Sequence, residues 1–264
     1  MTEPSTQTIR LEKGRIATLW LCRPDRLNAM NLQMSEEVVE ALGAVDADED
    51  VRALLVRGEG RSFSSGGDFE LIEAAASRTQ EENRAAMVQF YGRFLSILRV
   101  KVPTIAVLHG PAIGAGLCFA AACDLRYAAH DARLGASFVR IGLHPGMAAT
   151  VLLPRLVGAA RAAELLLTGA SITGEEAEAI GLVNRSVPAA ELDALAAATA
   201  ERIASAGPIA VVRCKETLLH SLLPQIEDAI LREAREQAAT FASQDLLEAA
   251  RAFRESRAPR FSGR

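Results

Sequence analysis

The sequence has few of the residues that hold metals or close disulfides. Its 264 residues include only four cysteines and four histidines. The cysteines show no CxxC or other metal-ligand spacing, and all lie among apolar neighbours: Cys22, Cys118, Cys123 and Cys214. We therefore expect reduced thiols in the core of a cytoplasmic protein. The scattered histidines do not indicate zinc.

The sequence also lacks an excess of positive charge and an export signal. Its formal net charge is −4, which gives no basic field for a nucleic acid. The N-terminal MTEPSTQTIRLEKGRIATLWL has no charged leader followed by an apolar run and a cleavage site. We therefore expect neither a nucleic-acid partner nor a membrane partner.

Apolar residues are plentiful: they make up 50% of the chain, which is ample for a large core. Strands and helices alternate over the first two-thirds, and helices follow almost to the end. These patterns predict an α/β protein with a core domain over residues 1–190 and a C-terminal helical region over residues 191–264.

Several elements follow from local patterns. Alternating residues over Thr8–Cys22 predict a hairpin that turns at Lys13–Gly14. Helical spacing predicts one helix over Leu32–Ala47 and a long one over Arg78–Arg99. A second short strand is expected at Arg133–Ala136. The predicted C-terminal helices are Ala190–Ala206, Pro208–Ser221, Gln225–Ala242 and Gln244–Arg257.

The stretch Val102–Asp124 is the centre of the predicted site. It indicates a buried strand (Thr104–Leu108), a tight turn (His109–Gly114) and a helix of small residues from about Ala115. Glycines in and beside the turn let backbone approach a ligand closely. A helix that starts there presents unpaired N–H groups. Histidine, proline and glycine at the centre of the stretch argue against a membrane span.

A second loop, SSGGD, follows the apolar strand Val51–Arg57 and precedes a short helix from Phe69. Two such loops can supply backbone donors from separate elements to one oxygen. That arrangement suits a carbonyl that becomes an oxyanion during reaction.

Several segments resemble one family in order and spacing: RPDRLNAM, FSSGGDFELI, PTIAVLHGPAIGAGLCFAAACDLRYAAHDARLG, GLHPGMAATVLLPRLVG and AAELLLTGASITGEEAEAIGLVNRSVP. Together they closely resemble the crotonase (enoyl-CoA hydratase/isomerase) superfamily. The resemblance implies a crotonase-like spiral of ββα repeats whose C-terminal helices pack trimers, often stacked as hexamers. It also implies an acyl-CoA thioester as ligand, with coenzyme A as part of the substrate and no separate cofactor or metal.

The resemblance carries specific roles to residues of this chain. It makes the N–H groups of Gly67 and Ala115 the donors to the thioester carbonyl. It places Arg26 near the nucleotide phosphates, although a solvated turn arginine is an equal alternative. Asp68 is more consistent with capping the following helix than with chemistry. The residues that the resemblance places along the coenzyme A groove and acyl site are Ser65, Gly66, Asp68, Gly114, Cys118, Ser137 and Phe138.

The chain departs from the family pattern at the acid and base. Hydratases of the family carry glutamates in GGGxE and FGQPE, and here those positions hold Cys118 and Phe138. Candidate replacements are Cys118 itself, if its thiol is activated at the helix start, and His144 as general base. Cys118 is equally a packing thiol, and His144 a loop residue bonded to backbone. Ser137 could orient an acyl group or cap a strand end.

Two classes of function remain open. The first is a family enzyme with a non-glutamate base, whether for hydration, isomerisation, decarboxylation or thioester hydrolysis. The second is a protein that binds acyl-CoA without turning it over. Apolar stripes on the last helices predict an interface between copies of the chain, as a homo-trimer or hexamer: Ile226, Ile230, Ala234, Leu246, Ala250 and Phe253.

Overall fold

The computed structural model describes residues 7–75, 77–255 and 257–264, without the side chain of Phe253. The main sheet has six strands in the order β1-β2-β3-β4-β6-β9. The β1–β2 pair is an antiparallel hairpin, which confirms the hairpin prediction, and the other neighbours are parallel. The strands are β1 Ile9–Glu12, β2 Ile16–Leu21, β3 Ala53–Gly58, β4 Thr104–Leu108, β6 Leu125–Ala129 and β9 Arg185–Val187.

A second sheet of three short strands lies beside the central turn, in the order β5-β7-β8. Its strands are β5 Ala112–Ile113, β7 Leu134–Gly135 and β8 Ser171–Ile172. β5 lies inside the segment predicted as a plain turn, because Gly114 N donates to Gly135 O at 2.8 Å and extends the backbone there.

The helices α1–α10 alternate with the strands and then follow one another. They are α1 Leu32–Ala47, α2 Phe69–Ala75, α3 Gln80–Leu95, α4 Ala115–Ala121, α5 Ala149–Thr168, α6 Gly174–Ala179, α7 Ala189–Ala204, α8 Pro208–Leu219, α9 Leu223–Phe241 and α10 Gln244–Arg254. The mixed α/β class with a helical C-terminal region is confirmed.

One helix differs from its predicted bounds for an identifiable reason. The helix predicted over Arg78–Arg99 is α3 followed by a 3-10 turn at Ser96–Arg99, and Thr79 starts it with a capping box to Glu82. α5 is kinked at Gly158, whose φ is 76°.

The core lies between the main sheet and the helices. Every residue of β4 is buried, as expected of a parallel strand covered on both faces. α7 packs on β3, β4 and β6, and α9 packs along α3. This last contact brings the C-terminal part of the chain to the site described below.

The apolar stripes on α9 and α10 are not free for a partner. Ile226, Ala234 and Leu246 are buried inside this chain, and so is Ala250. The prediction that one chain leaves them partly exposed is therefore wrong for these four residues, because α9 packs against α3 and α10 packs against the 3-10 turn Ser137–Ile141. Ile230 is partly buried. The side chain of Phe253 lies outside the described residues.

Within the described ranges, no single helix is long and apolar enough to cross a membrane. One pair of consecutive helices is long and apolar enough only when its members are counted together. The two helices, Ala189–Ala204 and Pro208–Leu219, are bent by 108° relative to each other.

Candidate active site

The SSGGD loop is fixed by backbone hydrogen bonds on both of its sides. On one side, Ser64 N donates to Pro111 O and Ile113 N donates to Ser64 O, both at 3.0 Å. On the other, Met30 N donates to Gly66 O at 2.7 Å. The loop therefore lies between the RPDRLNAM turn and the central turn, as part of two short parallel bridges.

Asn28 holds the RPDRLNAM turn against this loop. Its side chain is fully buried, and Nδ2 donates to Glu59 O at 2.8 Å and Ser62 O at 2.9 Å. Its Oδ1 accepts from Arg23 N at 2.8 Å. Asn28 has φ +54°, a left-handed conformation that asparagine tolerates better than most residues. Sequence reasoning missed this role.

Glycines bring the loop into contact with the start of α4. Gly66 has φ +96°, and a Cβ there would lie 2.7 Å from Ile113 O and 3.4 Å from Ala115 N. A Cβ on Gly116 would lie 2.7 Å from Ser64 Cβ. Any larger residue at either position would separate the two segments.

The two predicted donors have free N–H groups. In the described part of the chain, the N–H of Gly67 and the N–H of Ala115 donate to no backbone or side-chain acceptor. Ala115 is the first residue of α4, where an N–H has no partner within the helix. Both residues line one cavity.

This cavity has a volume of about 90 Å³ and a mainly apolar wall. The apolar residues come from α2, α3, the turn after β7 and α9: Leu71, Ile72, Met87, Phe90, Phe138, Ile141, Leu143, Met147 and Phe241. The polar side chains that line it are Ser65, Ser137, Tyr91 and Gln237. The structure thus brings Ser65, Gly66, Gly114, Ser137 and Phe138 together with the two donors around one cavity.

Phe138 lies beside the donors and lines the same cavity. Its Cζ is 3.8 Å from the position that a Cβ on Gly114 would occupy. Gly114 caps α4 with φ +54° and ψ −121°, a conformation suited to glycine. A phenyl ring therefore covers the start of α4 and supplies no proton donor or acceptor.

Cys118 does not line the cavity. Its side chain is fully buried in α4, and burial together with the charge of Glu233 raises the pKa of the thiol well above its ordinary value. The thiol is therefore protonated at neutral pH, which argues against its activation as a nucleophile or base.

His144 contributes through its backbone rather than its ring. The imidazole does not line the cavity, and its Nδ1 lies 2.6 Å from Pro145 O. The backbone N donates to Thr240 Oγ1 at 3.1 Å, and the carbonyl accepts from Gln237 Nε2 at 2.7 Å. The geometry does not support its prediction as general base.

Asp68 and Arg26 lie outside the cavity lining. Asp68 Oδ1 accepts from Glu70 N at 3.1 Å, so Asp68 caps α2 as expected. Its Oδ2 lies 2.6 Å from Arg23 Nη1 in a largely buried ion pair. Arg26 is exposed, and its guanidinium lies 3.4 Å from Glu70, an arrangement that leaves it free to reach a ligand at the surface.

Tyr91 and Gln237 were missed by the sequence analysis. Tyr91 is on α3 and Gln237 is on α9, and the phenol donates to Gln237 Oε1 at 2.5 Å. No motif marks either residue. They become neighbours only through the packing of α9 along α3.

Glu233 is a second group that the sequence did not reveal. Its side chain is fully buried one turn before Gln237, and Oε1 accepts from Thr150 N at 2.8 Å and Thr150 Oγ1 at 2.6 Å. Oε2 has no partner among the described residues. Burial raises the pKa of Glu233 to about 7. The carboxyl supports the N-terminus of α5, although it does not line the cavity.

A larger groove of about 350 Å³ lies elsewhere, between α1 and α8. It shares no lining residue with the cavity of the two donors. The convergence of free N–H groups, rather than size, identifies the smaller cavity as the candidate active site.

Comparisons with known proteins match almost the whole chain. Residues 12–264 match the family model described as Enoyl-CoA hydratase/isomerase. The crotonyl-CoA hydratase of Syntrophomonas wolfei is 35% identical over 257 residues, covering 97% of this chain and 98% of its own.

Solved structures show the same fold. An enoyl-CoA hydratase/isomerase from Pseudoalteromonas atlantica has a TM-score of 0.86 at 30% identity, covering 97% of this chain and 100% of its own. An enoyl-CoA hydratase from Mycobacterium avium subsp. paratuberculosis has a TM-score of 0.85 at 28% identity, covering 97% and 99%. The chain belongs to the enoyl-CoA hydratase/isomerase family.

Proposed function

We propose that the protein binds an acyl-CoA thioester with its carbonyl oxygen between the N–H groups of Gly67 and Ala115. The observation that carries this proposal is that two unpartnered backbone donors from separate segments line one cavity. Family membership and the similarity to the crotonyl-CoA hydratase of Syntrophomonas wolfei support the ligand class.

The arrangement suits an oxygen that gains negative charge. Polarising the thioester carbonyl acidifies the neighbouring carbon, and fixed donors stabilise the resulting enolate without reorganising. One such donor is typically worth about 10²–10³ in kcat. The close approach of Gly66 to Ile113 O fixes the loop, so the donors need little reorganisation when the ligand binds.

Coenzyme A enters as part of the substrate, and we propose no separate cofactor. Ser65 and Gly66 form the rim of the site. Arg26 is exposed nearby in sequence and is our candidate for a phosphate contact, since its pairing with Glu70 at 3.4 Å is easily exchanged.

Proton transfer is where this site differs from a hydratase. Among the described residues that line the cavity there is no carboxylate, imidazole or amine. Burial and the charge of Glu233 raise the pKa of Tyr91 well above its ordinary value, so its phenol is not a base near neutrality. A missing proton-transfer group typically costs about 10²–10⁴ in rate. We therefore propose that hydration of crotonyl-CoA is slow.

Two versions of the function follow. In the first, the protein is an enzyme that uses the oxyanion site for another reaction of the family type, such as isomerisation, decarboxylation or thioester hydrolysis. In the second, it holds acyl-CoA without turnover, which the lack of a titrating group in the lining favours.

Substitution of Gly67 tests the binding proposal. Gly67→Pro removes one donor, whereas Gly67→Ala keeps the N–H and adds a Cβ with no atom within 4 Å. We expect crotonyl-CoA to raise the Tm of the wild type and of Gly67→Ala, and to have little effect on Gly67→Pro. If the wild type shows neither a thermal shift nor calorimetric heat with several acyl-CoA esters, the proposal is wrong.

A turnover assay separates the two versions. Wild-type protein is incubated with a panel of acyl-CoA esters, and the products are identified by mass spectrometry, while loss of the enoyl absorbance reports hydration. Hydration within about tenfold of an ordinary hydratase would contradict the argument from the missing glutamates. A product of changed mass, or an isomer, from any other ester supports the version in which the protein is an enzyme. Binding of an ester that is recovered unchanged supports the version in which the protein holds acyl-CoA without turnover.

A further inference from the structure

Two buried polar side chains interrupt the apolar wall of the cavity. Tyr91 and Gln237 are 2% and 5% exposed, respectively, and both line it. They reach the cavity from α3 and α9, respectively. Burying polar groups beside an acyl chain costs free energy unless they are hydrogen-bonded.

The pair keeps hydrogen-bonding capacity beyond the two bonds that hold it. The Tyr91 hydroxyl donates its hydrogen bond to Gln237 Oε1, so the phenol oxygen can still accept a hydrogen bond through its lone pairs. The side-chain amide of Gln237 donates one of its two hydrogens to His144 O, and the second hydrogen can be donated to another acceptor. One acceptor and one donor are therefore available to a ligand.

Both side chains are held in place. A Cβ on Gly146 would lie 2.3 Å from the Tyr91 hydroxyl oxygen, so the phenol packs directly on this backbone. Gln237 is anchored to His144 O, and the N–H of His144 is bonded to Thr240 on the same helix. Groups fixed in this way discriminate between ligands because they cannot turn towards other partners.

We infer that Tyr91 and Gln237 select a short acyl group that carries its own hydroxyl or carbonyl oxygen over a plain hydrocarbon chain. This inference rests on the proposed function, since it assumes that the acyl part of a CoA thioester occupies the cavity. The cavity is small, with a volume of about 90 Å³, and we therefore propose a short acyl chain.

The two kinds of acyl group differ in the free energy lost when buried hydrogen-bonding groups stay unpaired. A hydrocarbon chain leaves the spare donor and acceptor without partners, whereas a hydroxyl or keto oxygen satisfies at least one of them. An unmade hydrogen bond in a buried site is costly, so sites built to bond a polar group reject the analogue that lacks it. We expect about a tenfold difference in Kd.

A purely structural clamp between α3 and α9 is the competing explanation. A clamp predicts that loss of either side chain weakens all ligands alike or lowers stability. A specificity role predicts that loss of the hydroxyl changes the ratio of affinities. The measurement that separates the two explanations is therefore the ratio of the Kd of butyryl-CoA to the Kd of an oxygen-bearing ester.

The experiment is calorimetric titration with four thioesters of equal chain length. These are butyryl-CoA, acetoacetyl-CoA and the two butyryl-CoA derivatives hydroxylated at the third or the fourth carbon atom. For the wild type we expect at least one oxygen-bearing ester to bind about tenfold more tightly than butyryl-CoA. Tyr91→Phe should weaken that ester alone and bring the ratio close to one, and Gln237→Met is the second variant.

Met87→Leu is the matched control, because it changes an apolar residue of the same wall and keeps both polar groups. It should leave the ratio unchanged. Equal wild-type affinities for all four esters would overturn the inference and leave the proposed function intact. So would an equal weakening of all esters in both polar variants. Absence of binding by every ester would overturn the proposed function, and this inference with it.

Discussion

At the scale of the residue, the candidate site consists of backbone atoms that glycines allow to converge. Gly66 and Gly67 are neighbours with different surroundings: a Cβ on Gly66 meets Ile113 O, and a Cβ on Gly67 meets nothing within 4 Å. Gly66 also has φ +96°, which strains any other L-residue. Adjacent glycines thus have separable roles.

We predict that Gly66→Ala lowers affinity for crotonyl-CoA strongly and that Gly67→Ala does not. The first variant must move the loop away from Ile113 and so displaces the Gly67 donor. The second keeps both the N–H and the packing. Calorimetric Kd values for the two variants check this, and similar losses in both would contradict it.

The buried carboxyl of Glu233 makes stability depend on pH. Its pKa is raised from 4.5 to about 7 by burial, so the folded protein holds a proton that the unfolded chain releases. Stability is therefore lost as pH rises through this window, by about 3 kcal/mol in total.

We predict that Glu233→Gln flattens this dependence. Relative to the variant, the wild type should lose about 3 kcal/mol of unfolding free energy as the pH rises from about 4.5 to 7. Urea unfolding at several pH values measures it. Glu236→Gln, on the same helix but half-exposed, is the control and should follow the wild type. If the unfolding free energies of Glu233→Gln and the wild type change in parallel with pH, the pH dependence does not come from Glu233.

At the scale of the element, α8 is attached to the sheet through a buried lysine. Lys215 is 6% exposed, and its Nζ donates to Asp124 Oδ2 at 2.8 Å and to Val102 O at 2.9 Å. Asp124 also accepts from the N–H and hydroxyl of Thr104, so one carboxylate joins α8, the end of α4 and β4.

We predict that Lys215→Met destabilises the fold by about 3 kcal/mol, because it leaves a largely buried carboxylate without its cation. Arg213→Met on the same helix removes an exposed ion pair with Glu216 and should cost less than about 0.5 kcal/mol. Chemical denaturation of both variants gives the comparison. Equal effects would show that the lysine contributes only as a surface charge.

Elements differed in how far the sequence predicted them. The hairpin, α1, α3 and the C-terminal helices follow from local periodicity, because each carries its own hydrophobic pattern. β7 lies inside the short strand predicted over Arg133–Ala136, whereas the two-residue strand β5 was missed, since only its bonds to β7 define it. Gly67 and Ala115 were found through sequence motifs, whereas Tyr91 and Gln237 meet only through the packing of helices 146 positions apart in sequence.

At the scale of the whole molecule, large apolar side chains remain exposed on the helical surface. The four most exposed are Leu167 on α5, Ile209 and Leu218 on α8, and Leu231 on α9. The stripes on α9 and α10 that were expected to form an interface are largely buried within the chain. The exposed side chains of α5, α8 and α9 are therefore the better candidates for contacts between copies of the chain. We propose a homo-trimer, or a hexamer of two trimers, as the family resemblance implies.

We predict a mass of three or six chains by light scattering at micromolar concentration. Ile209 and Leu218 are nine positions apart and lie on opposite sides of α8, so Ile209→Glu and Leu218→Glu test both sides. One of them should reduce the mass, and Val39→Glu, a partly exposed site on α1, should not. A wild-type monomer would refute the proposal.

The contact between α3 and α9 has a consequence for how the protein is made. The SSGGD loop, the central turn, α4 and the strand β7 that bonds the turn all lie within the first 135 residues, whereas Gln237 and Phe241 belong to the last quarter of the chain. The segments that carry the carbonyl donors are therefore synthesised well before the helix that supplies part of the acyl wall. A nascent chain that stops before α9 therefore lacks that wall of the cavity, and selection between acyl groups begins only when synthesis is nearly finished.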